Sequence, residues 1–173
     1  LDCIAEGPGL LFCAGNDGLG SGVKASILST LTSKIISTML AAGLGIRDAV
    51  ETIAATLPIC AERKTAFSTF TIIRIVGNEH ADIIQYENPN VVLLRNGVHY
   101  EFPLSTMHIG EKTIYRSSIE LAEGDIFIAM SDGVLYASEN GVLNNNWSRS
   151  KLIEFVEPLA DANFTAKVLA SII

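Results

Sequence analysis

Leu10-Leu11-Phe12-Cys13-Ala14 runs into Gly15-Asn16-Asp17-Gly18-Leu19-Gly20-Ser21-Gly22, and this into Val23-Lys24-Ala25. An apolar run of strand length meets a polar, glycine-rich bend, and after the bend the period changes. Ile27, Leu28, Leu31, Ile35, Met39 and Leu40 recur at helical spacing, so Val23 to Ala42 is predicted as a long helix with one apolar face. Gly43 and Gly45 end it. A second helix, Ile46 to Leu57, turns Val50, Ile53, Ala54 and Leu57 inward and stops at Pro58. Upstream, Leu1 to Glu6 and the turn Gly7-Pro8-Gly9 make the quoted strand the second arm of a hairpin.

Beyond the helices the sequence turns to strands. Thr65 to Val76 is rich in Thr, Phe and Ile, and the turn Gly77-Asn78 leads to a partner, Ala81 to Tyr86. Asn88-Pro89-Asn90 breaks the chain before Val91 to Arg95. Asn96-Gly97, the strongest short hairpin signal in the sequence, leads into Val98 to Phe102. Thr113 to Glu120 and Asp125 to Met130 are two more strands. Ser148 to Val156 and Asp161 to Ile173 read as helices, the latter with Phe164, Val168, Leu169 and Ile172 on one face. Runs of strands beside runs of helices give an α+β fold with helices packed on sheet faces. Strict strand–helix alternation is absent, which argues against a dinucleotide-binding sheet.

Composition excludes several classes of function. The 173 residues are 49% apolar, enough for one domain, 1–173, with a sizeable core and too much for a disordered chain. Twelve Lys and Arg stand against 19 Asp and Glu, a net charge of -7, and aromatic residues make up only 7%. Neither the charge nor the aromatic content suits a nucleic-acid surface. The longest apolar stretch, Ile27 to Ile46, is interrupted by Lys34 and by Ser and Thr, so no membrane span is expected. Cys3, Cys13 and Cys60 lack disulfide-framework or metal-ligand spacing and are read as thiols of a reducing cytosol, a cytoplasmic location.

Carboxylates sit inside glycine turns at two strand ends. The first corner is Asn16 to Gly22; the second is Ala129-Met130-Ser131-Asp132-Gly133-Val134. A strand end delivers a side chain to the rim of a sheet, and glycine lets the backbone bend sharply enough to expose a carbonyl oxygen. Aspartates with free carbonyls suit a hard divalent cation such as Mg²⁺ or Mn²⁺. Asp-Gly is also a common turn dipeptide, so neither corner decides alone. The glycine-rich segment fails both the phosphate-loop and the dinucleotide templates.

Together the corners resemble the metal-dependent protein phosphatases of type 2C, in the bacterial branch of the stage II sporulation protein E phosphatase. That branch carries Asp-Gly-hydrophobic-Gly-x-Gly before a long helix, matched by Asp17 to Gly22 and Val23-Lys24-Ala25. It also carries a Leu-x-x-Gly-Asp motif, an apolar run, then Ser-Asp-Gly-Val, matched by Leu121, Gly124, Asp125 and Ser131-Asp132-Gly133-Val134. Ala66 to Phe70 fits its central strand; Asn88-Pro89 and Leu94-Arg95-Asn96-Gly97 fit its middle hairpin. The resemblance covers residues 10–143. It implies a two-sheet antiparallel β-sandwich flanked by helices, in α-β-β-α layers, and hydrolysis of phosphoserine or phosphothreonine in a phosphoprotein substrate. It implies two Mn²⁺ or Mg²⁺ ions. Asp17 would bridge them, Gly18 would offer its carbonyl, and Asp132 would hold the second; Asp17 and Asp132 would then be the catalytic pair.

Two departures bear on that implication. The family's further Asp, on the strand before the first corner, has only Asp2 as a candidate, fifteen positions before Asp17 and preceded by Leu1 rather than Gly. At the other end Ala162-Asn163-Phe164-Thr165 mimics the closing pattern, with Ala162 where a metal-binding Asp belongs. Asp161 is one residue out, and a one-residue slip on a strand reverses the face. It is read as an N-cap of the last helix, with the family's closing strand lacking and the second metal site weak. The alternative is therefore a catalytically weak or inactive, partner-binding domain of the same fold, with a hydrolase of small phosphate esters as a third reading. His80, His99 and His108 share no face and are read as surface residues, and Arg63 and Lys64 as solvated helix-end charges. Asn144 to Trp147 reads as a loop with one anchoring aromatic. The small residues Ala41, Ala42, Gly43 and Gly45 would permit a homodimer contact.

Overall fold

The two turns that the sequence marks most strongly form with left-handed backbone, φ being 62° and 57° at Gly77 and Asn78 and 52° and 77° at Asn96 and Gly97. Turns with two positive φ values match the right-handed twist of the strands they join, which is why Gly and Asn occupy them. In the computed structural model the described residues are 2–5, 11–15, 23–56, 69–110, 112–135, 138–139, 142–143, 147–160 and 164–173. The chain divides into two compact units, residues 1–88 with 103–120 and residues 89–102 with 121–173.

The first unit contains strands β1 (Asp2–Ala5) and β2 (Leu11–Gly15), helices α1 (Val23–Ala41) and α2 (Ile46–Thr56), and strands β3 (Phe70–Val76) and β4 (His80–Tyr86). In the second unit lie β5 (Val92–Arg95) and β6 (Val98–His99); the first unit then resumes with β7 (Ser105–Ile109) and β8 (Lys112–Glu120). The remaining elements belong to the second unit: β9 (Ile126–Ile128), α3 (Asp132–Leu135), β10 (Ser138–Glu139), β11 (Val142–Leu143), α4 (Arg149–Ala160) and α5 (Ala166–Ile172). The sheets run β1-β2-β3-β4-β8-β7, β6-β5-β9 and β10-β11, and every pairing is antiparallel. The class is α+β, as the order of elements led us to expect.

Ile36, Leu40, Ile46, Ala49, Val50 and Ile53 of the two helices pack on Phe70, Ile72, Ile84, Tyr86 and Ile114 of the six-stranded sheet. Ile73, Ala81 and Ile83, on the opposite face of the same strands, are buried as well. The face of α1 differs from the predicted one. Ile27 and Leu31 are 58% and 47% exposed, whereas Thr32, Ser33 and Ser37 are buried beside Ile36 and Leu40. Small hydroxyl side chains can be buried in a helix because they bond to its own carbonyls, as Ser37 Oγ does to Lys34 O at 3.1 Å. The predicted face is therefore right in its second half, where Leu40 is buried and Ile35 and Met39 pack on the core, and wrong at Ile27 and Leu31. Its end is as read: Gly43, at φ 80°, lets its N–H reach Leu40 O and that of Leu44 reach Met39 O.

In the second unit Val92, Leu94, Ile128 and Met130 pack on Leu152 and Val156 of α4, with Trp147 against the same core. Trp147 meets Phe155 edge-on at 6.0 Å, the anchoring expected of it. Helix α4 is tied to the sheet by Glu157, which accepts from the His99 N–H at 2.8 Å, and by Arg149, which donates to Asn90 O and Val91 O. The last helix is shorter than predicted. Its N-cap is Thr165, whose Oγ1 accepts from the Val168 N–H, so the capping role assigned to Asp161 falls four residues later; Asp161 itself lies outside the described residues. Of the four residues expected on its inner face only Leu169 is buried. Strand β7 is absent from the sequence reading, because its polar residues and sheet-edge position leave only Met107 and Ile109 to mark a face.

Candidate metal centre

The second acidic corner is built by β9. Ile126 and Ile128 face the core, and the chain leaves the strand through Ala129, Met130 and Ser131 to begin α3 at Asp132. Ser131 O accepts from the Val134 N–H at 3.2 Å, closing the turn. A Cβ on residue 133 would stand 3.4 Å from Ser131 Oγ, an ordinary contact. Asp132 is exposed at this first turn, where its carboxylate also suits the partial positive charge of the helix start.

Asp2 is the first residue of β1, and its Cα lies opposite Ala14, one residue before the end of β2. It therefore sits at the end of the β1–β2 ribbon from which the chain passes into residues 16–22. Asp17 and Gly18 fall within that stretch, outside the described residues. Asp2 belongs to the first unit and Asp132 to the second. Among the described residues no three His, Cys, Asp or Glu side chains form a group that could hold a metal ion.

At the same ribbon end the sequence reading missed a polar pair. Gly15 lies opposite Thr71, whose side chain is buried and whose Oγ1 accepts from Asn88 Nδ2 at 3.0 Å. The signal was present: Thr71 and Gln85, cross-strand partners and both buried, interrupt the apolar runs Phe70–Ile73 and Ile83–Tyr86. The sequence reading also left Arg95 and Asp125 as letters of two motifs. Arg95 Nε donates to Asp125 Oδ1 at 2.9 Å and Nη2 to Oδ2 at 2.7 Å, and the guanidinium lies 4.3 Å from the centre of the Tyr100 ring. Asp125 Oδ2 accepts a further bond from the Ala122 N–H at 2.9 Å. The bonds from Arg95 hold the Asp125 carboxyl below its ordinary range, with burial opposing them and the Ala122 bond adding to them.

The histidines have polar neighbours. His80 Nε2 lies 2.6 Å from Ser118 Oγ, which donates to Asp82 Oδ1 at 2.8 Å. This is not a nucleophile arrangement. A hydroxyl has one hydrogen, and here it goes to the carboxylate, so His80 must donate to the serine and cannot take its proton. His99 and His108 also have polar neighbours, Arg149 Nη2 at 3.4 Å and Thr113 Oγ1 at 3.3 Å.

A family model described as Stage II sporulation protein E (SpoIIE) matches residues 8–171. The chain belongs to the SpoIIE family. Among solved structures, the SpoIIE phosphatase domain from Bacillus subtilis, in a crystal form without domain swapping, superposes with a TM-score of 0.60 at 22% identity. That match covers 93% of this chain and 74% of the other. The SpoIIE PP2C phosphatase domain with a fragment of its regulatory domain, also from Bacillus subtilis, gives 0.65 at 21% identity over 95% of this chain and 52% of that one. A Mycobacterium tuberculosis protein, in the crystal structure of its RsbU and RsbW domains, gives 0.69 at 18% identity over 94% and 45%. The chain thus spans about half the length of these last two. At such identities the likeness is one of fold, and it is the type 2C phosphatase fold. No curated protein matches. Among the described residues of this SpoIIE-family chain, no helix is long and apolar enough to cross a membrane.

Proposed function

We propose that this SpoIIE-family chain, acting as a single domain, hydrolyses phosphoserine or phosphothreonine in a protein substrate with the help of two Mn²⁺ or Mg²⁺ ions. The observation that carries the reading is the Ser131-Asp132-Gly133 corner, an exposed carboxylate at the exit of a core strand in a chain of this family. The donor set fits a hard cation, since every candidate ligand is an oxygen: the carboxylates of Asp2, Asp17 and Asp132 and the carbonyl of Gly18. Asp17 and Asp132 would hold the ions, with Asp2 and the Gly18 carbonyl completing the shell. Bound ions of this kind supply an acidified water and offset charge on the phosphoryl oxygens. The protein's own part is to orient these oxygens at two strand ends. A side-chain nucleophile is not required, which accords with the Ser118 hydroxyl being committed to Asp82. Three scattered cysteines support a cytoplasmic setting.

A second reading, a partner-binding relative with an incomplete metal set, is favoured by Ala162 standing where the resemblance calls for an aspartate. Phosphate release from a phosphothreonine peptide separates the two. We expect turnover that requires Mn²⁺ or Mg²⁺ and falls at least ~100-fold in Asp17→Asn and in Asp132→Asn. No turnover by the wild type at saturating metal would favour the partner-binding reading. Faster turnover of a small aryl phosphate than of the peptide would favour an esterase.

A further inference from the structure

Strand β9, from which the chain runs on to Asp132, has a short backbone ladder. It is three residues long and, among the described residues, pairs with β5 at the end of its sheet: Val92 with Ile128, Leu93 with Phe127 and Leu94 with Ile126. On a strand a slip of one residue reverses every side chain; the core contacts of Ile126 and Ile128 oppose it, and a three-residue ladder adds few backbone bonds to them. Carried one residue further, the same register sets Arg95 opposite Asp125, and these two form the bidentate pair. A two-pronged bond between a planar guanidinium and a carboxylate demands a specific geometry, and here it is met by residues that stand directly opposite. A slip would set Arg95 against Gly124 or Ile126 instead. Both partners are themselves fixed: Arg95 by the Tyr100 ring, Asp125 by the Ala122 N–H, in a turn where Gly124 takes φ 82°. The Asp125 side chain is 4% exposed and that of Arg95 22%.

We propose that Arg95 and Asp125 are a positioning pair, a register lock on β9 that holds Asp132 where a divalent cation can use it. The pair acts through the strand and touches no metal itself. The proposal rests on the reading of Asp132 as a metal ligand.

The test uses the whole chain in three variants: Arg95→Lys, which keeps the charge and loses the fork; Asp125→Asn; and Val156→Ala, a core change that lowers stability without touching the lock. Mn²⁺ binding is read from the paramagnetic resonance of the free ion, and backbone hydrogen exchange is followed over residues 126–132. We expect Mn²⁺ affinity to fall about tenfold in the first two variants, as when groups that orient a ligand are lost. Exchange over 126–130 should accelerate at least ~10-fold in the same two, and Val156→Ala should leave Mn²⁺ affinity at the wild-type value. Wild-type affinity and exchange in both lock variants would overturn the proposal, as would equal affinity losses in all three variants. No Mn²⁺ binding by the wild type would overturn the metal reading instead. Exchange would then decide the lock alone, faster exchange keeping it and unchanged exchange removing it.

Discussion

Asp125 receives three hydrogen bonds, two from Arg95 and one from the Ala122 N–H. They lower its pKa from an ordinary 3.8, so the folded state binds the proton less readily than the unfolded one. A depressed carboxyl stabilises the fold at pH values above its unfolded pKa, and that stabilisation is lost as pH falls through the folded one. Asp125→Asn should therefore cost about 2 kcal/mol at neutral pH, the scale of a charge-assisted pair that is mostly out of water. The gap between variant and wild type should narrow below pH 3.8, which urea unfolding at pH 7 and pH 3 would measure. An equal gap at both values would mean that the pair contributes by shape and not by charge. The sequence shows Arg95 and Asp125 plainly, each inside a motif, but not that they meet. Their meeting depends on β9 returning to β5 across the whole of β7 and β8, a pairing that no local pattern carries.

Helix α1 shows how an element can be legible while its orientation is not. Its length and its glycine stop follow from spacing and turn chemistry, and the observed Val23–Ala41 differs from the predicted range by one residue. Its buried side follows only in part: Ile35, Met39 and Leu40 meet the core as read, but Thr32, Ser33 and Ser37 are buried while Ile27 and Leu31 are exposed. Ile36→Ala should then cost 2–4 kcal/mol, roughly, as expected for emptying a filled core site. Leu31→Ser, on the side that hydropathy would have buried, should cost under ~1 kcal/mol. Gly43→Ala should cost about 1 kcal/mol, since φ 80° strains any residue with a Cβ. Chemical denaturation of the three variants checks the order. A Leu31→Ser cost equal to that of Ile36→Ala would restore the hydropathic face. The strands were easier to read, because Asn-Gly and Gly-Asn turns fix pairing locally whereas the face of a helix depends on what it packs against.

At the scale of the molecule the two units are interleaved along the chain. Residues 89–102 belong to the second unit, 103–120 return to the first, and 121–173 complete the second, so the chain passes between units three times. Neither unit is a single continuous segment: each is assembled from two stretches of chain with a stretch of the other between them. Each unit has its own core, one centred on Ile53, Ile72 and Ile84 and the other on Leu94, Leu152 and Val156. Two cores on two separable segments would unfold in two steps, whereas interleaving couples them. We therefore expect one transition. The chain carries a single tryptophan, Trp147, which packs on the second core, so its fluorescence follows that unit alone. Far-ultraviolet circular dichroism follows the helices and strands of both. In urea the two signals should fall at the same midpoint and with the same slope, as for one cooperative unit. Midpoints separated by more than ~0.5 M, on slopes of about 1–3 kcal/mol/M, would show that the second unit opens by itself and that Asp132 can be displaced without unfolding the first.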